Sequence, residues 1–285
     1  MDERLRLPAL PALPGLLLGA LGGRKSAAPD GPLPALEVAI EAVTLDAGRV
    51  AAYRSAFGFR AALPLSYLYL PAQRAQLALF NRPDFPLRAL GLVHVANDMR
   101  WHAQPDTTRP LALEVRIVDE EQRRSGRHFR LLTQFSQAGQ PVASIASAYL
   151  ARAPRRDGSA AVAAAATDQS ASRRGQTELR ALAIGLDAGW RYARLSGDWN
   201  PIHLSRWSAR PFGLAAPIAH GMCVAAQALA ALEQSARAEV RAAQVQFLKP
   251  VPLGTQLSVW RGPGPGALSV WLDRQCVQRI EAVLD

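Results

Sequence analysis

The sequence predicts an α+β protein in which one plan, a buried helix followed by a meander of antiparallel strands, is written twice. Three observations carry this. The run after Gly221 (Val224, Ala225, Ala228, Leu229, Leu232) is apolar almost all round, so it reads as a buried helix rather than a surface one. Segments of strict alternation follow it, and the same order recurs in the first half of the chain. A polar, low-complexity stretch at 154–176 separates the two halves as a linker would. A curved antiparallel sheet wrapped around one helix buries such a helix within each half.

The elements are expected in this order. Leu7 to Leu21 is apolar but is broken by Pro8, Pro11 and Pro14 and follows acidic Asp2 and Glu3, so it reads as a short helix docking on the body. Leu16 to Leu21 is too short to span a bilayer, which takes roughly 20 apolar residues. A helix near Tyr67–Phe80 follows Pro64, with a strand at Gly91–Val95 after it. Leu111, Leu113, Val115 and Ile117 alternate, as do Phe129, Leu131, Thr133 and Phe135, and Val142–Leu150 closes the half. In the second half Ala243, Val245 and Phe247 alternate with Gln244 and Gln246. The turn Lys249–Gly254 opens a strand through Leu257 and Val259, and the Gly-Pro-Gly-Pro-Gly turn at 262–266 leads to Leu268, Val270 and Leu272. A last strand covers Cys276 to Val283. The division expected is an extension over 1–35, a first domain over 36–153, the linker over 154–176 and a second domain over 177–285.

Composition narrows the partners. With 285 residues, 49% of them hydrophobic, the chain can bury a sizeable core. The two cysteines, Cys223 and Cys276, lie in apolar runs and provide neither a disulfide framework nor a metal ligand set. That pattern fits a reducing cytoplasm. The net charge of +10 is carried almost wholly by arginine, since Lys25 and Lys249 are the only lysines. Such a charge favours phosphates or acidic surfaces. The arginines are scattered and no nucleic-acid-binding motif accompanies them, so coenzyme A phosphates or an acidic carrier protein are preferred to nucleic acid. No integral membrane association is expected.

The chemistry concentrates between Ser196 and Met222. Gly197-Asp198-Trp199-Asn200-Pro201-Ile202-His203 places a carboxylate and an imidazole five residues apart around an Asn-Pro turn. Pro201 locks its own φ and biases Asn200 towards a turn, which Asn200 stiffens through hydrogen bonds to nearby backbone. A carboxylate–imidazole pair can hold a water and move protons near neutral pH. On its own this spacing is more often a helix cap beside a surface histidine. Pro217-Ile218-Ala219-His220-Gly221-Met222 then opens the buried helix with a glycine, where a bare backbone N–H is available to an oxygen.

These two segments together closely resemble the signature of the MaoC-like, or (R)-specific, enoyl-thioester hydratases. The resemblance is specific over about 177–285 and extends more weakly to the whole chain. It implies a hot-dog fold, here in tandem: a double hot dog with a degenerate first copy. It implies that Asp198 and His203 are catalytic and hold the water that adds to a trans-2-enoyl thioester, giving the (3R)-3-hydroxyacyl product, or that they run the reverse dehydration. It implies that Asn200 orders the loop and that Gly221 gives its N–H to the thioester carbonyl, with no cofactor and no metal. A helix N-terminus suits that last role, because its unpaired N–H groups stabilise a developing oxyanion. Tyr192 and Trp199 are expected to wall the loop, and Met222 to support it. His220 is expected to pack or cap at the helix start rather than to act chemically. Arg206, Arg210 and Lys249 read as surface charges first and phosphate contacts second.

The first half carries Tyr53-Arg54-Ser55-Ala56-Phe57-Gly58-Phe59 opposite the Asp/His segment and Leu65-Ser66-Tyr67 opposite His-Gly-Met, so it should be non-catalytic. Two competing functions remain: a hot-dog acyl thioesterase, and a non-catalytic module that binds an acyl thioester or its carrier protein. Acyl-CoA and acyl carrier protein thioesters both fit as substrate. Two copies in one chain can mimic a dimer, which leaves monomer and homodimer open.

Overall fold

The computed structural model describes residues 4–22, 31–152 and 173–285. In chain order the first elements are β1 (Arg4–Ala9), α1 (Leu13–Gly22), β2 (Glu37–Val43), α2 (Ala47–Phe57), α3 (Tyr69–Phe80) and the strands β3 (Leu92–Trp101), β4 (Leu111–Arg123), β5 (Gly126–Gln137) and β6 (Gln140–Arg152). Then come β7 (Thr177–Ile184), α4 (Ala188–Ser196), α5 (Arg206–Ala209), α6 (Gly221–Ala236), β8 (Val240–Phe247), β9 (Thr255–Arg261), β10 (Ala267–Leu272) and β11 (Gln275–Leu284). All but the first 19 residues of the 154–176 linker lie within this description; 154–172 lie outside the described residues.

The chain folds into two units that do not simply follow its order. One is Met1–Ala47 with Leu68–Gly158, and the other is Gly48–Tyr67 with Ser159–Asp285. In the first, the strand order is β1-β2-β4-β5-β6-β3; in the second it is β7-β9-β10-β11-β8. From β2 and from β7 onward these are the same path, antiparallel throughout, and β1 adds one parallel strand beside β2. The double hot dog expected from the sequence is the fold observed.

In the first unit α3 packs on β2, β4 and β5. Leu111, Leu113, Val115, Leu131 and Phe135 are fully buried beneath it, as period-two alternation on a half-buried sheet requires. Gln76 stands in the middle of this helix with no exposure, and is tolerated because its amide is satisfied. Its Nε2 donates to Thr133 Oγ1 (3.2 Å) and Ser147 Oγ (3.0 Å), and its Oε1 accepts from the Tyr149 hydroxyl at 2.6 Å. His94 stacks between Tyr69 and Tyr149 beside this network, with ring centroids 5.5 and 5.1 Å away. At the N-terminus β1 precedes α1, whose Leu16 carbonyl accepts from Asn81 Nδ2 at 2.8 Å. No helix among the described residues is long and apolar enough to cross a membrane.

In the second unit α6 is buried from Met222 to Glu233, apart from Gln227. Glu233 is fully buried and accepts three backbone N–H bonds, from Arg60 (2.9 Å), Ala61 (3.2 Å) and Val240 (3.0 Å). One carboxylate therefore anchors the segment after α2 and the start of β8 to the central helix. Tyr53 of α2 is fully buried among Phe57, Phe59 and Tyr67, and its hydroxyl donates to Ser66 Oγ at 3.1 Å.

Candidate active site

The loop between α4 and α5 is built by side chains that tie down the backbone just ahead of them. Gly197 ends α4 at φ +82°, a left-handed conformation that glycine adopts without penalty, and its N–H donates to Ala193 O at 2.8 Å. Ser196 Oγ accepts from the Asp198 N–H (3.1 Å), Asp198 Oδ1 from the Asn200 N–H (3.1 Å) and Asn200 Oδ1 from the Ile202 N–H (3.3 Å). Asn200 thus caps the 3₁₀ turn Pro201–His203, with Pro201 in the first turn where a missing N–H does no harm. The Asp-Trp-Asn-Pro sequence folds this way because each short polar side chain can reach an N–H two residues on.

His203 is 8% exposed, and its Nδ1 lies 2.8 Å from the Ile218 carbonyl oxygen. A carbonyl only accepts, so Nδ1 carries the hydrogen and Nε2 keeps a lone pair. Burial pushes the imidazole below its ordinary pKa, against the opposing pull of the Asp198 charge and the Ile218 hydrogen bond. The ring is therefore neutral near pH 7. Ile218 is itself fixed, since its N–H donates to Ile202 O at 3.1 Å and it bridges to Pro252.

His220 occupies the position before α6, yet its side chain makes no cap hydrogen bond. It packs instead, its ring stacked on His203 with centroids 3.7 Å apart at 28°. Its Nε2–H donates to the Asp198 backbone carbonyl at 3.0 Å and stands 3.9 Å from Asp198 Oδ2. Burial first, and the neighbouring His203 second, drive its pKa far down. Its buried Nδ1 has no hydrogen-bond partner among the described residues, and neither has the buried Tyr192 hydroxyl, whose ring centroid is 4.7 Å away.

Gly221 is the first residue of α6, so its N–H has no carbonyl one turn back to receive it. A Cβ at this position would lie 2.7 Å from the Phe247 ring, so only glycine fits there as the structure stands. Its carbonyl accepts from Gln278 Nε2 at 2.8 Å. Met222 is buried behind it. Trp199 packs edge-on against Trp190 at 5.8 Å, and Trp190 Nε1 donates to Leu204 O at 2.8 Å. Arg206 donates to Ala215 O and Arg210 lies over the Trp207 ring, so both already have local roles.

Asp198, His203 and His220 each present one ligating atom within 4.8 Å of the others. The two imidazoles are unsuited to sharing a cation. Rings stacked this closely hold their in-plane lone pairs in two separate planes only 28° apart, whereas one ion must sit about 2 Å from each nitrogen and close to both planes. A water held between Asp198 and His203 meets no such constraint.

Sequence reading missed three contributors. Gly189 approaches the His203 backbone so closely that a Cβ would sit 1.8 Å from its carbonyl oxygen. The Ile218 carbonyl selects the tautomer, and Phe247 fills the space in front of Gly221. None of these contacts has a local sequence signal.

Fold and site together define a double-hot-dog protein whose second copy alone, among the described residues, assembles an Asp/His cluster beside a glycine-initiated helix. Residues 165–260 match the MaoC like domain family. Over 262 residues the chain is 29% identical to 3-hydroxyacyl-thioester dehydratase X of Mycobacterium tuberculosis, covering 91% of this chain and 92% of that one. The crystal structure of HtdX from the same organism superposes with a TM-score of 0.70 at 25% identity, over 86% of this chain and 98% of that one. A conserved hypothetical protein of M. tuberculosis described as having a double hot-dog fold matches with a TM-score of 0.56 at 14% identity, over 85% of this chain and 93% of that one, and so bears on the fold alone. The fold is thus that of the double-hot-dog proteins, and the MaoC like domain match falls on residues 165–260, which include Asp198, His203 and Gly221.

Proposed function

We propose that the second unit hydrates trans-2-enoyl thioesters to (3R)-3-hydroxyacyl thioesters and catalyses the reverse dehydration. One observation supports this reading: a carboxylate and an imidazole whose Nδ1–H is committed to the Ile218 carbonyl, leaving Nε2 as the acceptor, are fixed on one stiff loop within 4.8 Å of a ring nitrogen of His220, the residue before Gly221 and helix α6. The dehydratase named among the relatives supports the reaction class.

In this reading the residues take the following roles. A water hydrogen-bonds to the Asp198 carboxylate and to His203 Nε2. As its oxygen bonds to C3, Nε2 accepts the proton and electron density moves through C2 onto the thioester oxygen. The Gly221 N–H and the positive end of α6 stabilise that oxygen. The proton held on His203 then goes to C2, so the elements of water are added and the histidine returns to its neutral state. In the dehydration direction the same groups act in reverse. Asn200 keeps Asp198 in place, and His220 secures the Asp198 carbonyl. The two free, buried cysteines of this unit agree with a reducing, cytoplasmic setting.

Crotonyl-CoA and a longer trans-2-enoyl-CoA provide the test. Loss of the enoyl absorbance without thiol release, and a (3R) product on chiral analysis, is the expected result. Thiol release would replace this reading with a thioesterase, and binding without turnover would replace it with a binding module.

A further inference from the structure

The exposed faces of α4 and α5 carry a pattern that hydration does not use. Between residues 186 and 211 the exposed charges are Arg191, Arg194, Arg206 and Arg210 against one acid, Asp187. Large aromatics stand among them, with Trp207 79% exposed and Trp190 42% exposed. Exposed apolar groups rimmed by like charges mark an interaction surface, and Trp and Arg are the residues that dominate binding energy at such surfaces. The patch is rigid, because Trp190 is bonded to Leu204 and packed on Trp199, and Arg210 lies over Trp207. It also flanks the candidate active site. Helix α4 ends two residues before Asp198, and α5 begins three residues after His203.

We propose that this face docks an acidic carrier protein that presents the acyl thioester on a flexible arm. The inference rests on the hydration reading, whose substrate it specifies. Charge complementarity selects an acidic partner. The arginines are spread along α4, α5 and the turn that follows α5, of which α4 alone is about 13 Å long, a footprint for a helical surface rather than for one diphosphate. A lipid surface fits less well, because bedding into a membrane uses the apolar face of a helix. In α4 that face, with Gly189, Tyr192 and Ala193, is already buried in the unit.

The test measures binding and turnover separately on the full chain. Fluorescence anisotropy with labelled holo acyl carrier protein should give saturable binding. Binding should weaken about tenfold in the Arg191→Glu/Arg194→Glu variant, and also on raising salt from about 50 to about 300 mM. Trp207→Ala should weaken it too. The turnover of crotonyl-loaded carrier should fall in parallel, while that of crotonyl-CoA stays within about twofold. Absence of carrier binding by the wild type, or equal binding by the charge-reversed variant, overturns the proposal. So does a matching loss with crotonyl-CoA, and so does binding confined to phosphatidylglycerol vesicles. Hydration of crotonyl-CoA without carrier binding leaves the hydration reading standing and removes the docking. Carrier binding with these sensitivities but no turnover of either thioester does the opposite.

Discussion

Gly189 and His203 are in contact through backbone: a Cβ on Gly189 would lie 1.8 Å from the His203 carbonyl oxygen. Helix α4 therefore acts as the backstop of the turn that carries the imidazole. Gly189→Ala must push the 3₁₀ turn away by an ångström or more. The expected cost is about 1–3 kcal/mol of stability from overpacking, with a loss of about 10²-fold in kcat from the displaced histidine. Thermal melting and steady-state kinetics together check this. A variant with wild-type kcat would show that the site tolerates the shift.

Asp198→Asn and His203→Gln remove the groups proposed to hold water and accept its proton. Each should lower kcat by about 10²–10⁴-fold, the range for a lost general acid or base. Circular dichroism should show the fold intact, because the loop is also held by Ser196, Asn200 and Pro201. Activity retained in either variant would remove the pair from the mechanism.

Gly221→Ala brings a methyl group to 2.7 Å from the Phe247 ring. The single variant should lose activity. If the obstruction is steric, Gly221→Ala/Phe247→Leu should recover part of it, whereas Phe247→Leu alone changes little. A double-mutant cycle on kcat/KM measures that coupling. Strict additivity would mean that the ring does not set the position of Gly221.

The buried histidines give activity and stability a shared acid limb. Burial lowers the folded pKa of His203 and, more strongly, of His220. Between each folded value and the unfolded value of about 6.5, the unfolded chain binds more protons. Their contribution is thus intact above about pH 6.5 and is lost as pH falls from there towards the folded values. Melting temperatures measured from pH 8 to pH 5 should drop below that point, less steeply in His220→Gln. The kcat/KM profile should hold flat through neutrality and fall only on the acid side, as His203 takes a proton.

Glu233→Ala leaves the Arg60, Ala61 and Val240 N–H groups without their acceptor. Orphaned buried donors cost about 1–3 kcal/mol each, so a destabilisation of several kcal/mol is expected in urea unfolding. Glu233→Gln keeps an acceptor oxygen and should be milder. Equal effects of the two substitutions would argue against the hydrogen bonds as the cause.

Much of this protein was legible in one dimension. The apolar run from Val224 to Leu232 and the alternation through Leu111–Ile117 and Phe129–Phe135 are local periodicities, and both copies of the helix-and-meander plan follow from them. Helix α4 escaped because its buried positions Gly189, Tyr192, Ala193 and Ser196 include only one large apolar side chain. The strands β2 and β7 were not read from the sequence either, and their place beside β4 and β9 is a matter of non-local pairing.

Local chemistry along the chain is enough for the Asp198–His203 spacing, the Asn-Pro turn and the glycine at the helix start, because capping and turn chemistry act over two to five residues. The state of those groups depends on contacts made in the folded chain. The Ile218 carbonyl, 15 residues from His203, sets its tautomer, and the packed interior removes the water that would otherwise stabilise a charged ring. Such contacts likewise place Gly48–Tyr67 with the second unit, through the Glu233 hydrogen bonds that reach across 172 and 173 residues. Hydrogen bonds and desolvation depend on proximity in space, and a linear pattern encodes that proximity only where the chain is its own neighbour.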